Sequence, residues 1–208
     1  MTVLAPGRRL GRRLVNLYLG LIMYGASSAM IVAAGLGLGP WDVFHQGLSR
    51  QLGISLGWVV IWVGLVVLLL WIPLRQRPGF GTVSNAIVIG LVMDATLSWL
   101  DQPVSMVARV GLMVAGVIGC GVATGLYIGA RLGPGPRDGL MTGLAARGHS
   151  IRVVRTGLEV AVLAAGWLLG GTVGLGTVLY GLSIGPLAHY FIPLLRVVEV
   201  HPVPRDPR

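Results

Sequence analysis

Gly39-Pro40-Trp41-Asp42 recurs as Gly135-Pro136-Arg137-Asp138 about 96 residues further along the chain. Glycine is abundant, with 33 in 208 residues, so an isolated match means little. A Gly-Pro-x-Asp turn with matching flanks is much harder to obtain by chance. The sequence therefore predicts two related halves, residues 13–100 and 107–198. Further matches across the halves are Arg13 with Arg109, Gly20 with Gly116, Gly25 with Gly121, Gly81 with Gly176, and Ile89 with Ile184.

Composition indicates that both halves lie in a membrane. The chain is 54% hydrophobic and 11% charged, with a mean hydropathy of +0.81, whereas an ordinary soluble domain is about 25% charged. A barrel strand would alternate apolar and polar residues, but the apolar runs here are continuous, which indicates helices. We expect an all-α polytopic membrane protein forming a single membrane domain over 1–208. Six runs reach the length that crosses about 30 Å of hydrocarbon: 14–34, 56–74, 83–100, 106–128, 153–169 and 176–198.

The arginines predict how these six spans are oriented. All sixteen basic residues are arginine, and with a cytoplasmic N-terminus only Arg50 and Arg109 fall outside. This bias follows the positive-inside rule. Each half carries three spans, an odd number, so the second half must insert in the opposite sense. The two arguments agree on an inverted repeat with both termini cytoplasmic, a retained first span, and a mobile cytoplasmic tail over 199–208. The net charge of +9 then reflects topology and predicts no nucleic-acid partner.

Small residues and tryptophans suggest further contacts. Small-xxx-small ridges let helices approach closely in lipid, so we expect the first and fourth spans to meet through them. Trp41, Trp58, Trp99 and Trp167 fall near the predicted outer interface and Trp71 near the inner one, where indole rings are favoured. The ridges are Gly25, Ala29, Ala33 and Gly37 on the first span, and Gly121, Gly125, Gly129 and Gly133 on the fourth.

Each Gly-Pro-x-Asp turn opens a short helix, about 41–52 and 137–147, because Pro and Asp both favour a helix start. Neither helix is long enough to span. As re-entrant half-helices they would expose amide groups to a solute near the midplane, and an anion would suit their N-termini. Gly39, Asp42, Gly135 and Asp138 would then shape a substrate site. Alternatively, both helices lie flat at the interface and the two aspartates only cap them.

Polar residues inside the spans are the remaining candidates. Asp94 and His189 hold equivalent positions in the two halves and would form a proton-sensitive coupling pair, or each would make one structural hydrogen bond. Glu159 stands four residues after Arg155 and is expected to pair with it. Asn85 and Tyr180 would line a substrate cavity together with Thr82 and Thr177, or these four would merely cap helices.

Signals of enzymatic chemistry are weak. The chain has no lysine and so no phosphate-binding Gly-Lys-Ser/Thr loop. It has no His-Glu-x-x-His, and its four histidines are not spaced as metal ligands. Cys120, the single cysteine, lies in an apolar run. We expect no enzyme, no cofactor and no metal.

The chain resembles the YczE family of bacterial integral membrane proteins, which is related to the YitT family, over roughly 15–195. The likeness rests on Gly37-Leu38-Gly39-Pro40-Trp41-Asp42-Val43 and on Leu132-Gly133-Pro134-Gly135-Pro136-Arg137-Asp138-Gly139-Leu140. It implies a multi-pass protein of the bacterial plasma membrane and carries over no catalytic residue. We expect a small-solute transporter or permease, with a channel-like pore or a non-transporting accessory protein as alternatives. The expected partners are the lipid bilayer, an unknown small solute, and a second copy or another membrane protein.

Overall fold

The computed structural model describes residues 10–197. Within that range the chain is helical and contains no strand. Long and short helices follow one another as long, short, long, long, and this order occurs twice. The helices are α1 Leu10–Ala34, α2 Pro40–Leu52, α3 Leu56–Leu74, α4 Phe80–Leu97, α5 Met106–Gly129, α6 Pro136–Ala145, α7 Ile151–Leu168 and α8 Leu175–Leu195.

Five of these helices are long and apolar enough to cross a membrane: α1, α3, α4, α5 and α8. The sixth expected span corresponds to α7, which has 18 residues but carries Arg152, Arg155 and Glu159. These three charged residues separate α7 from the five helices that are apolar enough to cross a membrane. The chain is thus a multi-pass helical membrane protein, and the predicted tail over 199–208 lies outside the described residues.

Helices α1 and α5 form the centre of the bundle and pack closely along each other. Glycine makes this approach possible. A Cβ atom on Gly20 would lie 2.8 Å from the Tyr127 backbone nitrogen, and one on Gly116 would lie 2.8 Å from the Ser27 carbonyl oxygen. The expected contact between these two helices is present.

The glycines predicted to make that contact pack on other helices instead. Gly25 of α1 faces Val92 of α4, and Gly121 of α5 faces Leu187 of α8. The glycines of the two ridges therefore pack against α4 or α8, the last helices of the two halves. Other glycines allow α1 and α5 to approach each other. A spacing of four residues identifies a helix face made of small side chains, but it does not identify which helix packs on that face.

Two arginines tie the ends of α1 and α5 together in matching ways. Arg13 Nε donates to the Ala130 carbonyl at 2.8 Å, and Arg109 Nε donates to the Ala34 carbonyl at 2.7 Å. In each case the start of one long helix binds the end of the other, so α1 and α5 run antiparallel. A cation at a helix C-terminus also complements the helix dipole.

The last helix of each half begins against the turn of the other half. The Gly81 amide donates to the Leu132 carbonyl at 2.8 Å, and the Gly176 amide donates to the Leu36 carbonyl at 2.8 Å. Helix α2 packs on α7 and α3, and α6 packs on α3 and α7. These crossed contacts bring the starts of both short helices to the middle of the bundle.

The packing of the two halves differs in one place. Helix α3 packs along α4, but α7 makes no comparable contact with α8. Of the residues of α7 only Gly166 is buried, and of α8 only Gly176 and Thr177. These two helices therefore present most of their surface outward.

The tryptophans divide into exposed and buried residues. Trp58, Trp99 and Trp167 are exposed, as interfacial anchors would be. Trp41 and Trp71 are buried instead. Trp71 donates through Nε1 to the Pro136 carbonyl at 3.0 Å and lies against α6, so it is a packing residue of the short helix.

Candidate functional site

A cavity of about 250 Å³ lies where the two short helices begin. We call it the central cavity. Both halves contribute to its walls, which include residues of every helix from α1 to α8. Six residues predicted from the sequence line it: Gly39, Asp42, Asn85, Gly135, Asp138 and Tyr180.

The starts of α2 and α6 reach this cavity because glycine and proline form a tight entry. Gly39 and Gly135 are extended N-cap residues followed by proline at the first helical position. A Cβ atom on Gly39 would lie 2.7 Å from the Tyr180 ring, and one on Gly135 would lie 3.6 Å from the Asn85 amide nitrogen. Each turn thus approaches a side chain of the opposite half.

Arg137 joins the two short helices across the cavity. Its guanidinium, at the start of α6, lies 3.7 Å from Asp42 Oδ1 of α2 and 5.1 Å from the centre of the Trp41 ring. The distance from Arg137 to His45 Nδ1 is 3.5 Å, and Nδ1 lies 3.3 Å from Asp42. Asp42 and His45 are both buried. The charge of Asp42 is therefore balanced within the protein.

Asp138 has a different environment. Its Oδ2 accepts a long hydrogen bond, 3.4 Å, from the Tyr127 hydroxyl. It forms no ion pair with any residue in the described range. The equivalent aspartates of the two turns thus differ, since one is paired with arginine and the other is not.

The electrostatics of the short helices reflect this difference. Burial raises the pKa of Asp42, but the hydrogen bond from His45 and the charge of Arg137 outweigh burial and hold that pKa below 3.8. Burial raises the pKa of Asp138 above 3.8, and the charges of Arg137 and Arg155 only partly offset it. Asp42 is therefore the stronger acid.

Aromatic and polar side chains complete the wall. The hydroxyls of Tyr24 and Tyr180 lie 3.2 Å apart, within hydrogen-bonding distance. Trp41 Nε1 is buried and has no hydrogen-bond partner. Arg155 Nε lies 3.0 Å from Glu159 Oε1, as the sequence spacing predicted, and both residues line the cavity.

The structure does not bring Asp94 and His189 together. Asp94 accepts hydrogen bonds from the Ser55 hydroxyl and, at 2.6 Å, from the Gly57 amide, so it holds the start of α3. His189 is exposed on α8. Neither residue lines the central cavity, and the expected pair across the axis is absent.

Thr82 and Thr177 act as caps. Their hydroxyls accept hydrogen bonds from the Gly79 and Gly174 amides, each at 3.2 Å. Asn85 and Tyr180, three residues further along, line the cavity. Of the four polar residues predicted at the starts of the third and sixth spans, two therefore cap helices and two line the cavity.

Sequence reasoning missed three wall residues. Arg137 was assigned to membrane topology, Trp41 to the interface, and His45 received no role in a site. One signal was available: Trp41 and Arg137 occupy the single position at which the two Gly-Pro-x-Asp turns differ. A guanidinium and an indole ring attract each other when the cation lies over the ring face.

Comparisons with known proteins identify relatives that match most of the chain. Residues 11–193 match a family described as "Family of unknown function (DUF6198)". An uncharacterized protein of Haemophilus influenzae is 42% identical over 180 residues, covering 86% of this chain and 83% of the relative. The uncharacterized membrane protein YczE of Bacillus subtilis is 32% identical over 168 residues, covering 80% and 78%. The Bacillus subtilis protein YyaS is 25% identical over 190 residues, covering 88% and 92%. No solved structure matches the chain.

Proposed function

We propose that this chain, which belongs to the DUF6198 family and is a YczE-like membrane protein, transports a small polar solute across the plasma membrane. One observation carries the proposal. The starts of α2 and α6 meet at a single central cavity, where Arg137 of one turn reaches Asp42 of the other. Transporters of the inverted-repeat type hold their substrates at such a junction of interrupted helices. No enzymatic step and no cofactor form part of the proposal.

The proposed transporter has six spans in two inverted halves, with α7 as the sixth span. The antiparallel course of α1 and α5 supports this arrangement. The crossed hydrogen bonds of Gly81 and Gly176 support it as well, because they are equivalent contacts made in opposite directions between the halves. Both termini would be cytoplasmic.

We treat α2 and α6 as re-entrant rather than flat on the membrane surface. The first turn of α2 is buried, with Trp41, Asp42 and Val43 all enclosed by protein. A helix lying at the interface would keep its polar face in water. In α2 the polar side chains Asp42 and His45 are buried, while Leu52 at the far end is exposed.

Arg50 and Arg109, the two arginines on the proposed outer side, have structural roles that explain their positions. Arg109 binds the end of α1 at the Ala34 carbonyl. Arg50 donates to the Gly170 carbonyl and, at 3.3 Å, to the Thr172 hydroxyl. Both exceptions to the positive-inside bias are therefore accounted for by contacts that hold helix ends.

Uptake into proteoliposomes tests the proposal. Purified protein would be reconstituted and supplied in turn with radiolabelled agmatine, glycerol and succinate, covering three charge classes. We expect saturable uptake of at least one solute. Uptake without saturation would indicate a pore, and no uptake of any solute would favour the accessory-protein alternative.

A pair of glycine variants controls this assay. In Gly39→Ala the new methyl group would meet the Tyr180 ring, which is 2.7 Å from the Cβ position, so uptake should fall at least tenfold. In Gly111→Ala the Cβ position has no neighbour within 4 Å, so uptake should not change. Equal uptake by both variants would argue against transport through the central cavity.

A further inference from the structure

The charges of the central cavity point to the class of solute. Three carboxylates line it, Asp42, Asp138 and Glu159, against two guanidinium groups, Arg137 and Arg155. Two of the acids are paired, Asp42 with Arg137 at 3.7 Å and Glu159 with Arg155 at 3.0 Å. Asp138 alone among the three has no cationic partner in the described part of the chain.

One cation of the protein itself, the Arg137 guanidinium, already lies at the cavity wall. The Arg137 guanidinium lies over the Trp41 ring and beside the Asp42 carboxylate. A carboxylate combined with an aromatic face is a favourable environment for a delocalised cation. The rings of Tyr24, Tyr127 and Tyr180 line the same cavity as Asp138, and the Tyr127 hydroxyl donates to Asp138 Oδ2 at 3.4 Å, so this carboxylate shares its cavity with three aromatic residues.

An anion would meet unfavourable surroundings here. The positive ends of α2 and α6 already face Asp42 and Asp138, which partly cancel the field that would attract an anion. Asp138 lies at the start of α6, where an anion would bind. An anionic solute was expected from the positive ends of the two helices alone. The negative charges of Asp42 and Asp138 at those ends disfavour an anion.

We infer that the solute is a small organic cation, whose charged group pairs with Asp138 between the tyrosine rings of the central cavity. This inference rests on the proposed function and specifies its substrate class. Arg137 then acts as the internal countercharge of Asp42, so the solute cation meets Asp138, which has no cationic partner among the described residues.

Binding in detergent tests the inference independently of transport. Purified protein would be titrated with methylguanidinium, choline and succinate at constant ionic strength, and binding followed by calorimetry. We expect at least one of the two cations to bind and succinate not to bind. Asp138→Asn should weaken cation binding at least tenfold, whereas Asp101→Asn, the same change at an exposed loop acid, should leave it within twofold.

Each other outcome has a definite meaning. Succinate binding with no cation binding would overturn the inference, as would cation binding that Asp138→Asn leaves unchanged. Failure of all three probes would also count against it. Because uptake in proteoliposomes is measured separately, saturable uptake of glycerol or succinate would refute the cation inference while leaving the transport proposal intact.

Discussion

The guanidinium of Arg137 lies 5.1 Å from the centre of the Trp41 ring, and these two residues occupy the same position in the two Gly-Pro-x-Asp turns. In the proposed inverted repeat, equivalent positions would meet near the axis that relates the two halves. The contact therefore joins the beginnings of α2 and α6, and it does so at the wall of the central cavity. The pairing of Arg137 with Asp42 adds an electrostatic link between the same two helices.

Loss of Arg137 should destabilise the protein by leaving Asp42 buried and uncompensated. We expect Arg137→Gln to lower the free energy of unfolding by about 2 kcal/mol, less than the roughly 3–5 kcal/mol of a fully buried pair. The Arg137 side chain is 28% exposed, and solvent screens it in part. Denaturant titration in detergent measures the change, with the exposed Arg152→Gln as the control.

A double variant distinguishes the ion pair from general packing. If the loss comes from the unpaired carboxylate, adding Asp42→Asn to Arg137→Gln should restore part of the stability, because no buried charge is left without a partner. Losses that simply add in the double variant would contradict the ion-pair explanation.

Arg13 and Arg109 should contribute similar amounts to stability. Each donates two hydrogen bonds to carbonyl groups at the end of the opposite long helix. We expect Arg13→Gln and Arg109→Gln each to cost about 1–2 kcal/mol, in the range for a cation at a helix C-terminus. Unfolding in detergent would measure both. A loss for one variant and none for the other would show that the two contacts are not equivalent.

Cation binding should depend on pH through Asp138. Burial raises the pKa of its carboxyl above 3.8, and Arg137, Arg155 and the Tyr127 hydroxyl face it from α6, α7 and α5. Because the ionised form binds the cation, affinity should be full well above this raised pKa and fall as pH drops through it. Titration of methylguanidinium or choline, whichever binds, at a series of pH values measures the midpoint. A midpoint at or below 3.8 would contradict this assignment, as would an unchanged profile in Asp138→Asn.

The proposed topology predicts opposite labelling of two equivalent positions. Ile54 follows α2 and Ser150 follows α6, and both are exposed. In a Cys120→Ala background, an impermeant maleimide added to intact cells should label Ile54→Cys and not Ser150→Cys. In inside-out vesicles the pattern should reverse. Labelling of both residues from one side would exclude the inverted arrangement.

Much of the helical framework could be predicted from hydrophobic run length alone. The expected second run, 56–74, coincides with α3 Leu56–Leu74, and the start of α5 at Met106 was also correct. Length and apolarity determine such segments because every backbone polar group in lipid must be bonded internally. The short helices were predictable for a different reason, since Gly-Pro-x-Asp has the chemistry of a helix start.

The partners of side chains were less predictable. Asp94 and His189 match in sequence position, yet Asp94 binds the start of α3 and His189 is exposed. Repeat position alone does not fix which neighbour a side chain meets, because that also depends on the rotation of each helix. Trp41 is a second example, since it was expected at the membrane interface but lines the central cavity.

The most direct test of the account is whether the central cavity opens to both sides of the membrane. In the Cys120→Ala background, Asn85→Cys would place a thiol on the cavity wall, and Ile54→Cys would report leakage of an impermeant thiol reagent. Right-side-out and inside-out vesicles would be treated separately. We predict that the cavity thiol is labelled in both preparations while Ile54→Cys is labelled only from outside. Labelling of the cavity thiol from one side alone, even after prolonged exposure, would contradict alternating access.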